Sequence, residues 1–190
     1  MRFCLAIAAV LLLTTRADAR TVAVADSAAV HQLRQQLVGL SPAVRPREAQ
    51  RLATIAFETS ARLRRDYEVS GPAGFHNFLV NAGVKQRGLC HHWARDLMNS
   101  LATAKPATLD LHWGIARRGT LREHNCVVVT AKGAPFATGI VLDAWRHSGR
   151  LYVGAVAIDR YPWKEDLVDC LCAAARLRRD ANPRPRITAR

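Results

Sequence analysis

"LCHHWARDLMNSLATAKPATLDLHWGIA", residues 89–116, changes its period part-way along, and that change decides the fold. Leu89, Trp93, Leu97 and Leu101 recur four apart, which places them on one face of an amphipathic helix running from Leu89 to about Thr103. From Leu109 that spacing stops, and short segments rich in valine, isoleucine and aromatic residues take over. "LDLHWGIA" (109–116), "EHNCVVVTA" (123–131), "GIVLDAW" (139–145) and "LYVGAVAI" (151–158) read as antiparallel strands, joined by "RRGTLR", "KGAPFAT" and "RHSGR".

Upstream the chain is helical. Asp26 is placed to cap a helix with Ala29, Val30, Leu33 and Leu37 on one face, stopped by Gly39. A longer helix after Pro46 turns Leu52, Ile55, Ala56, Leu63 and Tyr67 inward and Arg47, Arg51, Arg62 and Arg65 outward. Gly71-Pro72 breaks the pattern, and a short helix with Phe75, Phe78 and Leu79 runs to Asn81-Ala82, with Gly83 as its terminator. A final helix is predicted from about Lys164 to Arg179, followed by a tail of arginine and proline up to Arg190. Helices first and strands second predict an α+β domain, with N-terminal helices packed on an antiparallel β-sheet. A chain of 190 residues fits one such domain with one core.

The first nineteen residues stand apart. Arg2 supplies a positive start, Cys4 to Leu13 an apolar run, and Ala17-Asp18-Ala19 a small-residue cleavage site, the layout of a secretory signal peptide. Val24-Ala25 is a second candidate for the cut. Ten apolar residues are too few for the roughly 20 that a membrane-crossing helix needs, so no transmembrane span is expected. The expectation is an exported chain, periplasmic or secreted, whose single domain occupies residues 20–190. Removal of residues 1–19 leaves 26 basic and 14 acidic residues and a charge of +12. A field of that sign favours anionic partners, including an anionic envelope surface. Nucleic-acid binding is not expected, because no aromatic stacking platform or recognisable module accompanies the arginines.

Four cysteines remain. Cys170 and Cys172 sit two apart on a helical pattern and point in different directions, so they do not bridge each other. Cys170 shares a stripe with Leu167, Leu171 and Ala174, as a small apolar residue would. Cys90 is different, because it occupies the first turn of the 89–103 helix, where unpaired N–H groups and the helix dipole favour a thiolate. Gly88 would allow a tight turn and the approach of a substrate. A nucleophilic thiol also needs a base and a group that orients the base. His124 opens one strand and Asp143 lies in the next, between Leu142 and Ala144, where a buried carboxylate requires a partner. Asp143 shares a face with Val141 and Trp145, which would shield an imidazole–carboxylate pair from water.

Gly88 two residues before Cys90 at a helix start, "HN" opening a strand, and "VLDAW" on the following strand, in that order, resemble the transglutaminase-like branch of the papain-like cysteine enzymes. The resemblance spans roughly residues 80–165. It implies a papain/transglutaminase-like core, with Cys90 as nucleophile, His124 as general base and then acid, and Asp143 as orienter. Bacterial members of that group are often exported. Two positions depart from its pattern: Cys126 stands where an aromatic residue follows the histidine, and Ala144 where a proline often follows the aspartate. The implied chemistry is that of a cysteine peptidase, amidase or transglutaminase-like acyltransferase, forming a thioester from a peptide or protein amide, peptidoglycan-related substrates included, without a cofactor. Oxyanion donors would be the Cys90 backbone N–H and the side chain of Gln86. His91, Trp93 and Trp145 are candidates for the cleft wall.

Competing readings attach to the same residues. His91, His92, His112 and Cys126 raise the question of zinc, but three consecutive residues of one helical turn do not converge on one ion, and no metal site is assigned. Arg146 reads as a surface ion pair or a substrate clamp. For the whole chain, the alternative to an enzyme is a catalytically silent domain of the same fold that binds an anionic or peptide-like envelope partner through its arginines.

Overall fold

The computed structural model describes residues 27–167. The leader, Asp26, Cys170, Cys172 and the basic tail lie outside the described residues.

Among the described residues are four helices and one five-stranded antiparallel sheet, so the α+β class is observed. Helix α1 covers 27–38, α2 Pro46–Asp66, α3 Ala73–Asn81 and α4 Cys90–Ala102. Pro46 opens α2 where its missing N–H is not needed, and Arg64 and Arg65 lie in the last turn, where the helix dipole favours cations. Glu48 in its first turn accepts from the Thr108 N–H at 2.8 Å and hydroxyl at 2.9 Å, which ties α2 to the entry of the sheet. No helix among the described residues is long and apolar enough to cross a membrane.

Strand β1 is Leu109–Ala116, β2 His124–Ala131, β3 Ile140–Asp143, β4 Tyr152–Ala155 and β5 Lys164–Glu165, in spatial order β4-β3-β2-β1-β5. Every residue of β2 is buried, because this central strand has a layer on each face. One face carries Val127, Val129 and Ala131 and packs with Leu33, Leu52, Trp93, Leu97 and Leu101 from the helices. The other carries Cys126 and Val128 and meets Val141 and Trp163.

The second face is covered in a way the sequence pattern does not reveal. The strand expected over 151–158 stops at Ala155; Val156–Ile158 form a 3-10 turn, with the Val156 N–H bonded to Gly139 O at 3.0 Å. The chain then leaves the β4 edge, crosses the sheet and pairs with β1 on the far edge, Gly114 opposite Glu165 and Ile115 opposite Lys164. Lys164 and Glu165 therefore belong to a strand, where a helix was expected to start. The span is four strand spacings, about 19 Å, within reach of the eight residues 156–163, which extend to roughly 26 Å. This strap lays Tyr161 and Trp163 over the face that holds His124.

The close approach of α2 to the β3–β4 turn depends on a glycine. Gly149 has φ 93°, and a Cβ there would stand 2.4 Å from the Arg64 Cβ. Ser60 on the same helix donates its hydroxyl hydrogen bond to Gly149 O at 3.0 Å.

Candidate active site

Cys90 is the first residue of α4, half-buried, and several contacts fix the turn that delivers it. The Trp93 indole N–H donates to Gly88 O at 2.8 Å. His92 Nδ1 accepts the N–H groups of Gly88 at 3.2 Å and Leu89 at 3.3 Å, supplying the cap that Leu89 has no side-chain oxygen to provide. That role requires a neutral ring, and burial, reinforced by His91, Arg87 and Arg95, pushes the His92 pKa down to about 4. Arg87 forms a two-pronged contact with Asp96 at 3.1 and 2.9 Å, and the Tyr67 hydroxyl donates to Asp96 at 2.7 Å. Gly88 has φ 127°, and a Cβ on it would lie 2.2 Å from His76 Nε2. The open side of this glycine is thus filled by the buried His76 ring and not by a substrate. His76 accepts the Ser70 N–H at Nδ1 and donates from Nε2 to Arg87 O at 2.9 Å.

His124 and Asp143 meet because of strand register. Val127 pairs with Leu142, so continuing the ladder sets Asp143 beside Cys126 and diagonal to His124 on the same face, within reach of long side chains. His124 Nε2 lies 2.7 Å from Asp143 Oδ2, and both residues are buried. The imidazole is walled by the rings of Trp145, Tyr161 and Trp163, with centroids at 4.6, 4.7 and 5.2 Å. Burial alone would lower its pKa; the hydrogen bond to Asp143 and the neighbouring Cys90 override that and lift it to about 8. Nδ1, the nitrogen left over, is buried without a hydrogen-bond partner. Cys90 stands close enough to the ring to help raise its pKa.

Asp143 is held from four directions. Oδ1 accepts the N–H groups of Trp145 at 3.1 Å and Arg146 at 3.0 Å, and Oδ2 accepts Arg146 Nε at 3.0 Å besides His124. Burial opposes ionisation, yet His124 and Arg146 together hold the carboxyl below its usual range. Arg146 is itself buried, bonded through Nη2 to Asp159 at 2.9 and 3.2 Å, with its guanidinium 3.6 Å from the Tyr152 ring centroid and 4.8 Å from that of Tyr161. It is neither a surface ion pair nor exposed to clamp a substrate; it locks the Asp143 carboxylate to the strap.

Beside the sulfur stand two further groups. The thiol donates to Glu123 O at 3.7 Å, and the Asn125 amide donates to Sγ at 3.7 Å. Asn125 is buried and oriented, its Oδ1 accepting the Trp113 indole N–H at 2.8 Å. The "HN" pair by itself gives Asn125 no role; the signal that marks it is an amide on the helix-facing side of an otherwise apolar strand.

The remaining candidates scatter. Trp145 flanks His124 and is steadied by its N–H bond to Asn77 Oδ1 at 2.9 Å. Trp93 is a core residue rather than a cleft wall, packed edge-on against Tyr67. His91 is half-buried against the His92 ring at 4.1 Å. Gln86 is exposed and lines a depression with Tyr67, Glu68 and Arg87. His112 is engaged by Glu165 at 2.6 Å and Thr130 at 2.8 Å. Cys126 is buried, which raises its thiol pKa, and among the described residues no three histidine, cysteine or acidic side chains converge as a metal site.

Compared with family models, with curated proteins and with solved structures, the chain has no match.

Proposed function

We propose that this chain is a cysteine-dependent hydrolase or acyltransferase acting on amide or isopeptide bonds, with a transglutaminase-like, papain-like core, working in the cell envelope after export. The observation that carries the reading is the buried His124–Asp143 hydrogen bond, which commits Nε2 to the carboxylate and leaves Nδ1 for the Cys90 thiol. In the proposed reaction the Cys90 proton passes to His124 Nδ1 and the thiolate attacks the amide carbon. The carbonyl electron pair moves onto oxygen, where the Asn125 amide and the N-terminal N–H groups of α4 are the supporting donors. This arrangement favours Asn125 over the exposed Gln86. Collapse breaks the C–N bond, the His124 proton goes to the departing amine, and water or a second amine resolves the thioester. Asp143 keeps the ring in the orientation and tautomer that both transfers need.

The test is alkylation. Iodoacetamide at about pH 6 is expected to label Cys90 far faster than the buried Cys126, and His124→Gln should reduce the Cys90 rate by at least about tenfold. Equal, slow labelling in the native protein and the variant would reject the enzyme reading and favour a silent domain that binds an anionic or peptide-like partner through its arginines.

A further inference from the structure

The wall of the imidazole pocket carries a second feature, which the chemistry above does not use. Tyr161, whose ring rests against His124, is overlain by three guanidiniums: Arg146 from the buried network, Arg160 at 5.0 Å and Arg117 at 5.6 Å from the ring centroid. Arg117 and Arg160 are exposed, and among the described residues neither forms an ion pair. Both therefore stand within about 10 Å of the imidazole, roughly one Debye length at 0.1 M salt. They come from opposite ends of the site. Arg117 directly follows β1, and its left-handed backbone, φ 54°, turns the chain away from the strand, an uncommon conformation for a residue with a side chain. Arg160 belongs to the strap.

Three of their acidic neighbours already have basic partners, and the fourth, Glu123, forms no ion pair with either arginine. Asp159 is bonded to Arg146, Asp166 to Arg118 and Glu165 to His112. Glu123, the carboxylate closest in sequence to the site, accepts the Gly119 N–H at 2.8 Å and the Asn125 amide at 3.4 Å. Two cations without an ion-pair partner among the described residues, stacked on the ring that walls the proposed base, make a place for negative charge beside the imidazole.

We propose that Arg117 and Arg160 form a carboxylate subsite, so that the acyl donor is an acidic peptide whose free carboxylate lies over Tyr161 while its scissile amide reaches Cys90. The inference rests on the assignment of Cys90 as nucleophile.

A matched pair of alkylating agents tests it, because iodoacetate carries the carboxylate that iodoacetamide lacks. Relative to a small free thiol, Cys90 should prefer iodoacetate over iodoacetamide by roughly fivefold at low salt, and the preference should fade as salt is raised through about 0.5 M. The double variant Arg117→Gln, Arg160→Gln should lose the preference, read as the ratio of the iodoacetate to the iodoacetamide rate in the same variant, whereas Arg47→Gln, Arg51→Gln on the outward face of α2 should keep it. The dipeptide Glu-Glu should protect Cys90 at concentrations where Gln-Gln does not. Fast iodoacetamide labelling without a preference for iodoacetate, or a preference lost equally in the α2 control, overturns the subsite alone. Protection by inorganic phosphate equal to that by Glu-Glu overturns the carboxylate assignment. Slow iodoacetamide labelling of the native protein overturns the nucleophile, and the subsite with it.

Discussion

Asp143 shows how much one buried carboxylate has to be given before it stays ionised. Two backbone N–H groups, one guanidinium and one imidazole converge on its two oxygens, and each compensates part of the desolvation. Asp143→Asn leaves Arg146 facing an amide in a buried setting and should destabilise the fold by about 3 kcal/mol or more. The same substitution has a signature in pH. The folded pKa of His124, about 8, lies above the ordinary 6.5, so the imidazolium contributes stability that is complete below about pH 6.5 and is lost as pH rises through 8. The size is about 2 kcal/mol. Thermal unfolding of the native protein should therefore show Tm falling between about pH 6.5 and 8.5 from this group, and Asp143→Asn should flatten that segment; an unchanged slope would show that Asp143 is not what raises the imidazole. Cys90, His124 and Asp143 could be singled out in the sequence because their types and order match those the proposed chemistry needs. Arg146 could not, since nothing local distinguishes a buried arginine from the exposed ones around it; only the distant partner Asp159 does.

Helix α4 begins where it does because its first turn is tied down from several sides. His92, Trp93 and His76 all bind the backbone of 87–89, so the position of Cys90 depends on how that segment is held. Gly88→Ala tests the dependence: it adds a Cβ 2.2 Å from the His76 ring at a φ of 127°. We expect a loss of roughly 2–4 kcal/mol, read by chemical denaturation, together with slower Cys90 alkylation. Ala82→Gly, at an exposed position in the same connection, should change neither by much. At this scale the sequence was informative about regular elements. The four-residue spacing marked α4, and β1 starts and stops at the residues the pattern implied, because both reflect one buried face. It misled where an element is short. In α3 the apolar residues Phe75 and Phe78 are exposed while His76 is buried, since a nine-residue helix is placed by what it must contact and not by its own periodicity.

The whole molecule is organised around a sheet whose two faces are closed by different means, helices on one side and the strap on the other. Composition and periodicity announced the helical layer. They gave no sign of the strap, because Val156–Trp163 has no repeating pattern and its role depends on both sheet edges being present. Trp163 is the anchor of that second layer, nine-tenths buried against Ala116, Cys126, Val128 and Val141. Trp163→Ala should lower Tm by on the order of 10 °C and slow the labelling of Cys90 by opening the imidazole to water. Leu121→Ala, on the fully exposed tip of the β1–β2 hairpin, should leave both unchanged. The strap and β5 are also the part of the described chain made last. A nascent polypeptide carries the thiol, the imidazole and the carboxylate well before it can roof them, so maturation of the pocket waits for β5 to dock on β1.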